Sequence, residues 1–351
     1  MKGNSVAAAF PWPSTATDPV RGYRLKATLS TLTFGFCLCG INAAVDAVAQ
    51  SVPGRPVRLI VPYAPGGNAD IMARVLAQRL GDNLRQQVLV DNRPGASGVI
   101  GTELAVKAPP DGQTLVLVAS SFATNPALIR DMPYDTQRDL APVSMVGSTP
   151  LILAAYPGLP VTTVMELLAL AKAKPGQLNY ASSGNGSPAN LAGALLNFMT
   201  GANIVHVTYK GTAQATTDVL GGHVQLSYPS MTTALPYVRS GKLKALGMTG
   251  LTRSPLAPEV PTVAEAGVAG YQANIWNGAL VPAATPKTIV TRLNAELVRV
   301  LSAPETRERF AAMGADAAHS TPDEFRAFAL AEQGKWAKVI RDSGIRVELD
   351  R

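Results

Sequence analysis

Two loops of this 351-residue chain hold the residues best suited to chemistry, and that chemistry is the binding of an anion. The first reads Pro62-Tyr63-Ala64-Pro65-Gly66-Gly67-Asn68-Ala69-Asp70. A β-rich run closes at Pro62, a proline–glycine turn follows, and a helical run begins near Asn68. The amino end of a helix exposes unpaired N–H groups and a partial positive charge, and Gly66-Gly67 lets an anion come close to that backbone. Plain turn chemistry would call for the same residues. Asp70 would oppose an anion with its own charge, so it reads as a cap or a loop-bracing acceptor. The second loop is Ala181-Ser182-Ser183-Gly184-Asn185-Gly186-Ser187-Pro188-Ala189-Asn190. Ser187 stands at a helix cap and Pro188 at the first helical position. The hydroxyls of Ser182, Ser183 and Ser187, together with backbone amides, could clamp a carboxylate; the competing reading is a well-capped helix after a flexible loop. On facing lobes, the two loops would aim two positive helix ends into one cleft.

Other candidates are weaker. Asp91-Asn92-Arg93-Pro94-Gly95-Ala96-Ser97-Gly98 repeats the strand-turn-helix format, with Arg93 better suited to a structural fork than to a ligand. Tyr209-Lys210-Gly211-Thr212 ends a strand and could supply a phenol or an amide. Trp276 is a candidate cleft wall or simply core. Enzyme chemistry finds little support. There is no Gly-x-Ser-x-Gly elbow and no Walker A sequence, and Pro65-Gly66-Gly67-Asn68 lacks the third glycine of a dinucleotide fingerprint. His206, His223 and His319 are the only histidines and are not paired at metal or triad spacing. No catalytic residue, cofactor or metal is expected.

The elements that must carry these loops alternate between β-rich and amphipathic runs, the pattern of an α/β protein with mostly parallel sheets flanked by helices. Val57–Val61 reads as a strand. A helix follows over about 68–84, with Ile71, Met72, Val75, Leu76 and Leu80 at helical spacing. Strands at 88–90 and 115–118 flank a helix over 97–108. A second series starts near Leu151, with a capping box at Thr163-x-x-Glu166, a helix over 188–200 and a helix over 212–220. Two complete series imply two lobes. The last third is helical: Thr285-Pro286 and Thr321-Pro322 each place a cap before a proline, and Pro304 begins a helix between them. No long polar linker intervenes, so crossing strands near Met145–Ser148 and Ile275–Gly278 are expected to join the lobes. The expected boundaries are 50–147 with 276–351 for the first lobe and 148–275 for the second.

The first 49 residues read as a signal peptide. Arg21, Arg24 and Lys26 precede a short apolar stretch, and Ala47-Val48-Ala49 offers the small-x-small cleavage pattern. The apolar run is shorter than the ~20 residues a bilayer crossing needs. Residues 1–20 have no evident role in this pattern. Cleavage after Ala49 would leave 302 residues, enough for two domains, with formal charge reduced from +7 to +5. Both cysteines, Cys37 and Cys39, lie in the removed part, which excludes disulfides and thiolate chemistry from the mature chain. The remaining basic residues are scattered rather than striped, so no nucleic-acid partner is expected.

In its loops the chain resembles the Bug-type receptors, the extracytoplasmic solute-binding components of tripartite tricarboxylate transporters. Besides the loops at 62–70, 91–98 and 182–187, the resemblance rests on Asp111-Gly112-Gln113-Thr114-Leu115, Asn125-Pro126, Pro133-Tyr134-Asp135, Asp139-Leu140-Ala141-Pro142-Val143 and Tyr209-Lys210-Gly211. It implies a periplasmic Venus-flytrap of two α/β lobes, a monomer, holding a small carboxylate through loop amides and hydroxyls. By position it implies a ligand-binding set of Tyr63, Gly66, Gly67, Asp70, Ser120, Ser121, Asn125, Ser182, Ser183, Gly186, Ser187, Asn190 and Tyr209. The implied partners are the membrane permease subunits of an uptake system, or alternatively a membrane signalling protein to which a bound solute is presented. Three positions depart from the pattern: Asn190 where many members carry histidine, Val99 where a small polar residue is common, and Gln225 where aspartate is frequent. These bear on ligand identity more than on fold.

Overall fold

The computed structural model describes residues 55–209 and 211–345. The expected signal peptide and both cysteines lie outside the described residues. The chain builds two sheets. The first contains β1 (Val57–Val61), β2 (Val88–Asn92), β3 (Thr114–Ala119), β4 (Leu140–Thr149), β10 (Ile275–Pro282) and β11 (Asp316–Ala317) in the order β11-β4-β10-β3-β1-β2. The second contains β5 (Ile152–Ala155), β6 (Asn179–Ser182), β7 (Val205–Thr208), β8 (Leu226–Ser227) and β9 (Lys244–Met248) in the order β7-β6-β8-β5-β9. Helices α1 (Asn68–Leu84), α2 (Val99–Val106), α3 (Ser121–Leu128), α8 (Lys287–Ser302) and α9 (Pro304–Ala312) accompany the first sheet. Helices α4 (Val164–Ala173), α5 (Pro188–Thr200), α6 (Thr212–Leu220) and α7 (Met231–Arg239) accompany the second. The last helix, α10 (Pro322–Ser343), packs on α3 and β4 and also on α5, so it straps the two lobes together.

The α/β two-lobe architecture matches the expectation, and the strand directions add detail. The helix-connected strands are parallel: β1 with β2 and β3, and β6 with β7 and β8. β10 runs antiparallel to both β3 and β4, and β5 runs antiparallel to β8 and β9. The sheets are therefore mixed. The reason is topological: β4 leads out toward the second sheet and β10 leads back from it, so two neighbouring strands must point opposite ways. Ile275 pairs with Thr149 and Trp276 with Ser148 where these strands meet. A register shift between Ala279 and Leu280 falls opposite Pro142, which has no N–H to give the ladder.

Local signals act as their chemistry requires. Both arms of the Thr163/Glu166 capping box form, as do those of Thr321/Glu324. α8 differs by one position: its cap is Pro286 rather than Thr285, whose buried hydroxyl finds no partner among the described residues. Along α1, Met72, Val75, Leu76 and Leu80 are buried, whereas Ile71 lies at the flank of that face and is 40% exposed. The core of the first sheet joins Leu59, Met72, Leu117, Leu297 and Phe310. A second cluster runs from Leu153 and Tyr180 through Trp276 to Phe325 and Trp336, across the seam under α10.

Candidate functional site

The Pro62–Asp70 loop is held in shape by its own side chains. The phenol oxygen of Tyr63 accepts the Ala119 amide at 2.8 Å and bonds the Ser121 hydroxyl at 2.8 Å, which ties the end of β1 to the β3–α3 turn. A Cβ at Gly98 would stand 3.1 Å from that ring, so glycine there lets the loops meet. Asp70, 2% exposed, accepts the Gly66 amide at 2.9 Å and the Arg74 Nε at 3.0 Å. Burial works against its charge, but Arg74, the Gly66 amide and Asn92 outweigh that and hold the carboxyl below its ordinary pKa. It is thus an ionised brace. Gly67 caps α1 with no side-chain bond to the first turn, leaving those amides unclaimed by any cap. The Asn68 side-chain amide donates to Thr149 at 3.1 Å and Asn277 at 3.3 Å, fixing the start of α1 above β4 and β10.

The Ser182–Asn190 loop is built the same way on the other lobe. Ser187 caps α5 by accepting the Asn190 amide at 3.3 Å. Asn190, 1% exposed, accepts the Gly186 amide at 2.9 Å and donates to the Tyr180 phenol at 3.1 Å. The Ser182 hydroxyl lies 2.6 Å from His206 Nε2 and also takes the Gly184 amide. Positive φ at Gly184 and Gly186 allows the chain to turn twice before the helix.

Both loops open on one cavity of about 390 Å³. From the first sheet come Tyr63, Gly67, Asn68, Ala69, Ser120 and Ser121; from the second-sheet loop come Ser183, Gly186 and Ser187, with Ile275 and Asn277 at the crossing. Apart from the Tyr63 phenol, no ionisable side chain lines this cavity among the described residues. Its polarity comes from hydroxyls, amides and the amino ends of α1 and α5, a combination that suits an anion without a salt bridge.

Of the residues expected at the site, the structure brings seven to this cavity: Tyr63, Gly67, Ser120, Ser121, Ser183, Gly186 and Ser187. The others stand off its lining. Gly66 and Asp70 bond each other, and Asn190 braces Gly186 from behind. Asn125 donates to the carbonyl of Ser97, which lines the cavity in a left-handed conformation, φ 54°. Ser182 faces a neighbouring cavity. The Tyr209 phenol donates to Asp218 at 2.7 Å, and its pKa is pushed up to about 12 by desolvation and by that carboxylate. Trp276 is core, its indole donating to Glu332, and Arg93 bonds Asp91 at 2.9 Å. Sequence reasoning did not single out Asn68, Ser97, Ile275 or Asn277 as site residues. Asn68 and Ser97 lay inside loops already of interest; Asn277 gave no signal, because a strand asparagine is placed only by the pairing of β10.

The Ser182–His206 contact makes a pH dependence expected. Burial holds the His206 pKa below the usual 6.5. The unfolded chain therefore takes up a proton that the folded protein resists, so stability is full above pH 6.5 and falls as pH drops toward the depressed folded value. A lower melting temperature at pH 5.5 than at pH 7.5, with the difference reduced in His206→Gln, is the expected result by circular dichroism. Carboxylates held low, such as Asp70, act only below about pH 4.

A profile described as the tripartite tricarboxylate transporter family receptor, TctC, matches residues 72–345. The chain belongs to that family. The resemblance drawn from its loops is thereby confirmed, and this TctC-family receptor is a solute-binding protein. Protein BugT of Bordetella pertussis is 40% identical to it over 322 residues, 91% of this receptor and 98% of BugT. A solved structure, R. palustris Rpa4515 with adipate, is 34% identical with TM-score 0.71, covering 84% of this receptor and 100% of that chain. The periplasmic binding protein BugD is 33% identical with TM-score 0.68, covering 84% and 100% respectively. The receptor shares the two-lobe architecture of these two solved structures.

Proposed function

We propose that this receptor is exported by its N-terminal signal peptide, works in the periplasm as a monomer, and captures a small carboxylate between its lobes. The loaded form would then dock on the membrane subunits of a tripartite uptake system. The observation that carries the reading is the uncharged cavity at which the amino ends of α1 and α5, one from each sheet, both arrive. The amides after Gly67 and the Gly186–Ser187 segment would take the carboxylate, with Ser120, Ser121 and Ser183 as hydroxyl donors and Tyr63 as a wall. Gly66, Asp70, Asn125, Ser182 and Asn190 would hold those loops in place; Tyr209 would act through Asp218 on the shape of the second lobe. The lobes would divide near 147/148 and 275/276, supported in that β5–β9, all of the second sheet, fall between these points, although β4 runs on to Thr149 and β10 starts at Ile275 within the first. The adipate held by Rpa4515, a relative of the same architecture, supports an acid as ligand. Catalysis has no place in this reading.

The test is thermal melting of the mature protein against a panel of mono-, di- and tricarboxylates. A ligand present at 100 times its Kd stabilises the native state by about 2.7 kcal/mol. For a protein of this size the rise in melting temperature is expected to be roughly 4 °C. A panel that moves no transition, starting from ligand-free protein, would rule the reading out.

A further inference from the structure

We infer that Asn68 is a specificity residue of the cleft: its side-chain oxygen selects an acid that carries a hydroxyl close to the bound carboxylate. The orientation of this side chain is fixed by a relay that starts in β3. The Val118 carbonyl can only accept, so the fully buried Asn277 side chain must turn its nitrogen toward it, at 3.3 Å. The Asn277 oxygen then faces Asn68, whose nitrogen donates to it at 3.3 Å and to the Thr149 hydroxyl at 3.1 Å. Flipping either amide would set oxygen against oxygen. Asn68 is thereby left with Oδ1, an acceptor that cannot become a donor. It has no partner among the described residues, and it is not one of the side-chain oxygens sealed from solvent, so it stands open where Asn68 lines the cavity.

Position matters as much as polarity. Asn68 directly follows Gly67 as the first residue of α1, in the same turn whose amides are proposed to take the carboxylate. A carboxylate oxygen turned toward Oδ1 would set acceptor against acceptor, and a methylene packed on it would cut it off from water without replacing the bond. A donor on the second or third carbon of the acid satisfies it. An ammonium would donate too, but no ionised side chain lines the cavity among the described residues to balance its charge. The nearby Asp70 carboxylate is already held by Arg74 and the Gly66 amide. A neutral hydroxyl is the donor that fits this setting.

This inference rests on the carboxylate reading of the cavity. Isothermal titration calorimetry of the mature protein with paired acids tests it: lactate against propionate, malate against succinate, 2-hydroxyglutarate against glutarate, and citrate against tricarballylate. Both enantiomers of each chiral acid are used, with aspartate and glutamate as amino counterparts. At least one hydroxy acid is expected to bind about five-fold or more tightly than its parent lacking the hydroxyl, the worth of one neutral hydrogen bond. In Asn68→Ala, and in the near-isosteric Asn68→Leu, both checked for folding by circular dichroism, that ratio is expected to fall toward one. A merely structural role for Asn68 would weaken both members of a pair and leave the ratio in place. No preference for the hydroxyl in any wild-type pair, or a ratio unmoved in the variants, overturns the role of Asn68 while acid capture stands. Tighter binding of aspartate or glutamate than of malate or 2-hydroxyglutarate overturns the hydroxyl in favour of an ammonium. Binding of none of these acids overturns both readings.

Discussion

Gly67→Leu is expected to abolish carboxylate binding while leaving the protein folded. The backbone at Gly67 has φ −77°, a conformation open to any residue. A Cβ there would meet only the Ala64 carbonyl, at 3.4 Å, an ordinary contact. The leucine side chain would instead project beside the uncapped first turn of α1 on the cavity lining, where the acid is proposed to sit. It would both fill the space and replace an approach to backbone N–H groups with hydrocarbon. A loss of more than about 100-fold in affinity is expected, equivalent to roughly 2.7 kcal/mol. The cost to folding should stay within about 1 kcal/mol, the range of helix-cap substitutions. Calorimetry and melting of the same sample separate the two effects. Affinity within three-fold of wild type would mean that the acid does not approach this helix end.

The largest effect on stability is expected at Glu332. Its carboxylate lies in the seam under α10, 8% exposed, and accepts the Trp276 indole at 3.2 Å and the Trp336 indole at 2.9 Å. It also pairs with Lys335. Trp276 belongs to β10, one of the strands crossing between lobes, and it packs edge-on against Phe325 and Phe328 of α10. Glu332 therefore fixes the strap to the crossing strand. Glu332→Ala would leave two buried indole donors without their acceptor, at about 1–3 kcal/mol each, while Lys335 keeps only the Gln272 carbonyl. A net loss of roughly 2–5 kcal/mol and a melting temperature lower by about 3–8 °C are expected. Glu332→Gln keeps one acceptor oxygen and should recover part of the loss. A change below about 1 kcal/mol in the alanine variant would show that packing alone holds the strap.

The sequence was most legible where local chemistry decides structure. The loops at 62–70 and 182–190 declare themselves by proline, glycine and serine at turn and cap positions, and α1 and α5 begin and end where the spacing places them. Other elements were hidden for physical reasons. α3 contains Pro126 and α7 contains Pro236. Proline inside a short run reads as a breaker, yet packing of α3 against α10 sustains it. β4 is ten residues long, but its Pro142 and serines conceal that length, which the partners on both sides enforce. Strand direction was hidden too, because it depends on which lobe a strand comes from.

Within the site, residues drawn from the loop motifs divide by role, and that division is three-dimensional. Gly67 and Ser187 face the cavity, whereas their near neighbours Asp70 and Asn190 turn inward to hold loop amides. Spacing alone cannot distinguish a residue that meets a ligand from one that shapes the loop around it, since both must be polar and both sit at a helix start. Asn277 is the opposite case. It lines the cavity from a strand, and only the register that sets it against Gly147 and Ala119 brings it there.

A crystal structure of the mature protein with its tightest acid tests the central claim most directly. One carboxylate is predicted to lie within about 3.2 Å, or one bridging water, of amides at the start of α1 and also of the Gly186–Ala189 segment. A carboxylate held by one lobe alone, or bound away from these two helix ends, would contradict the account.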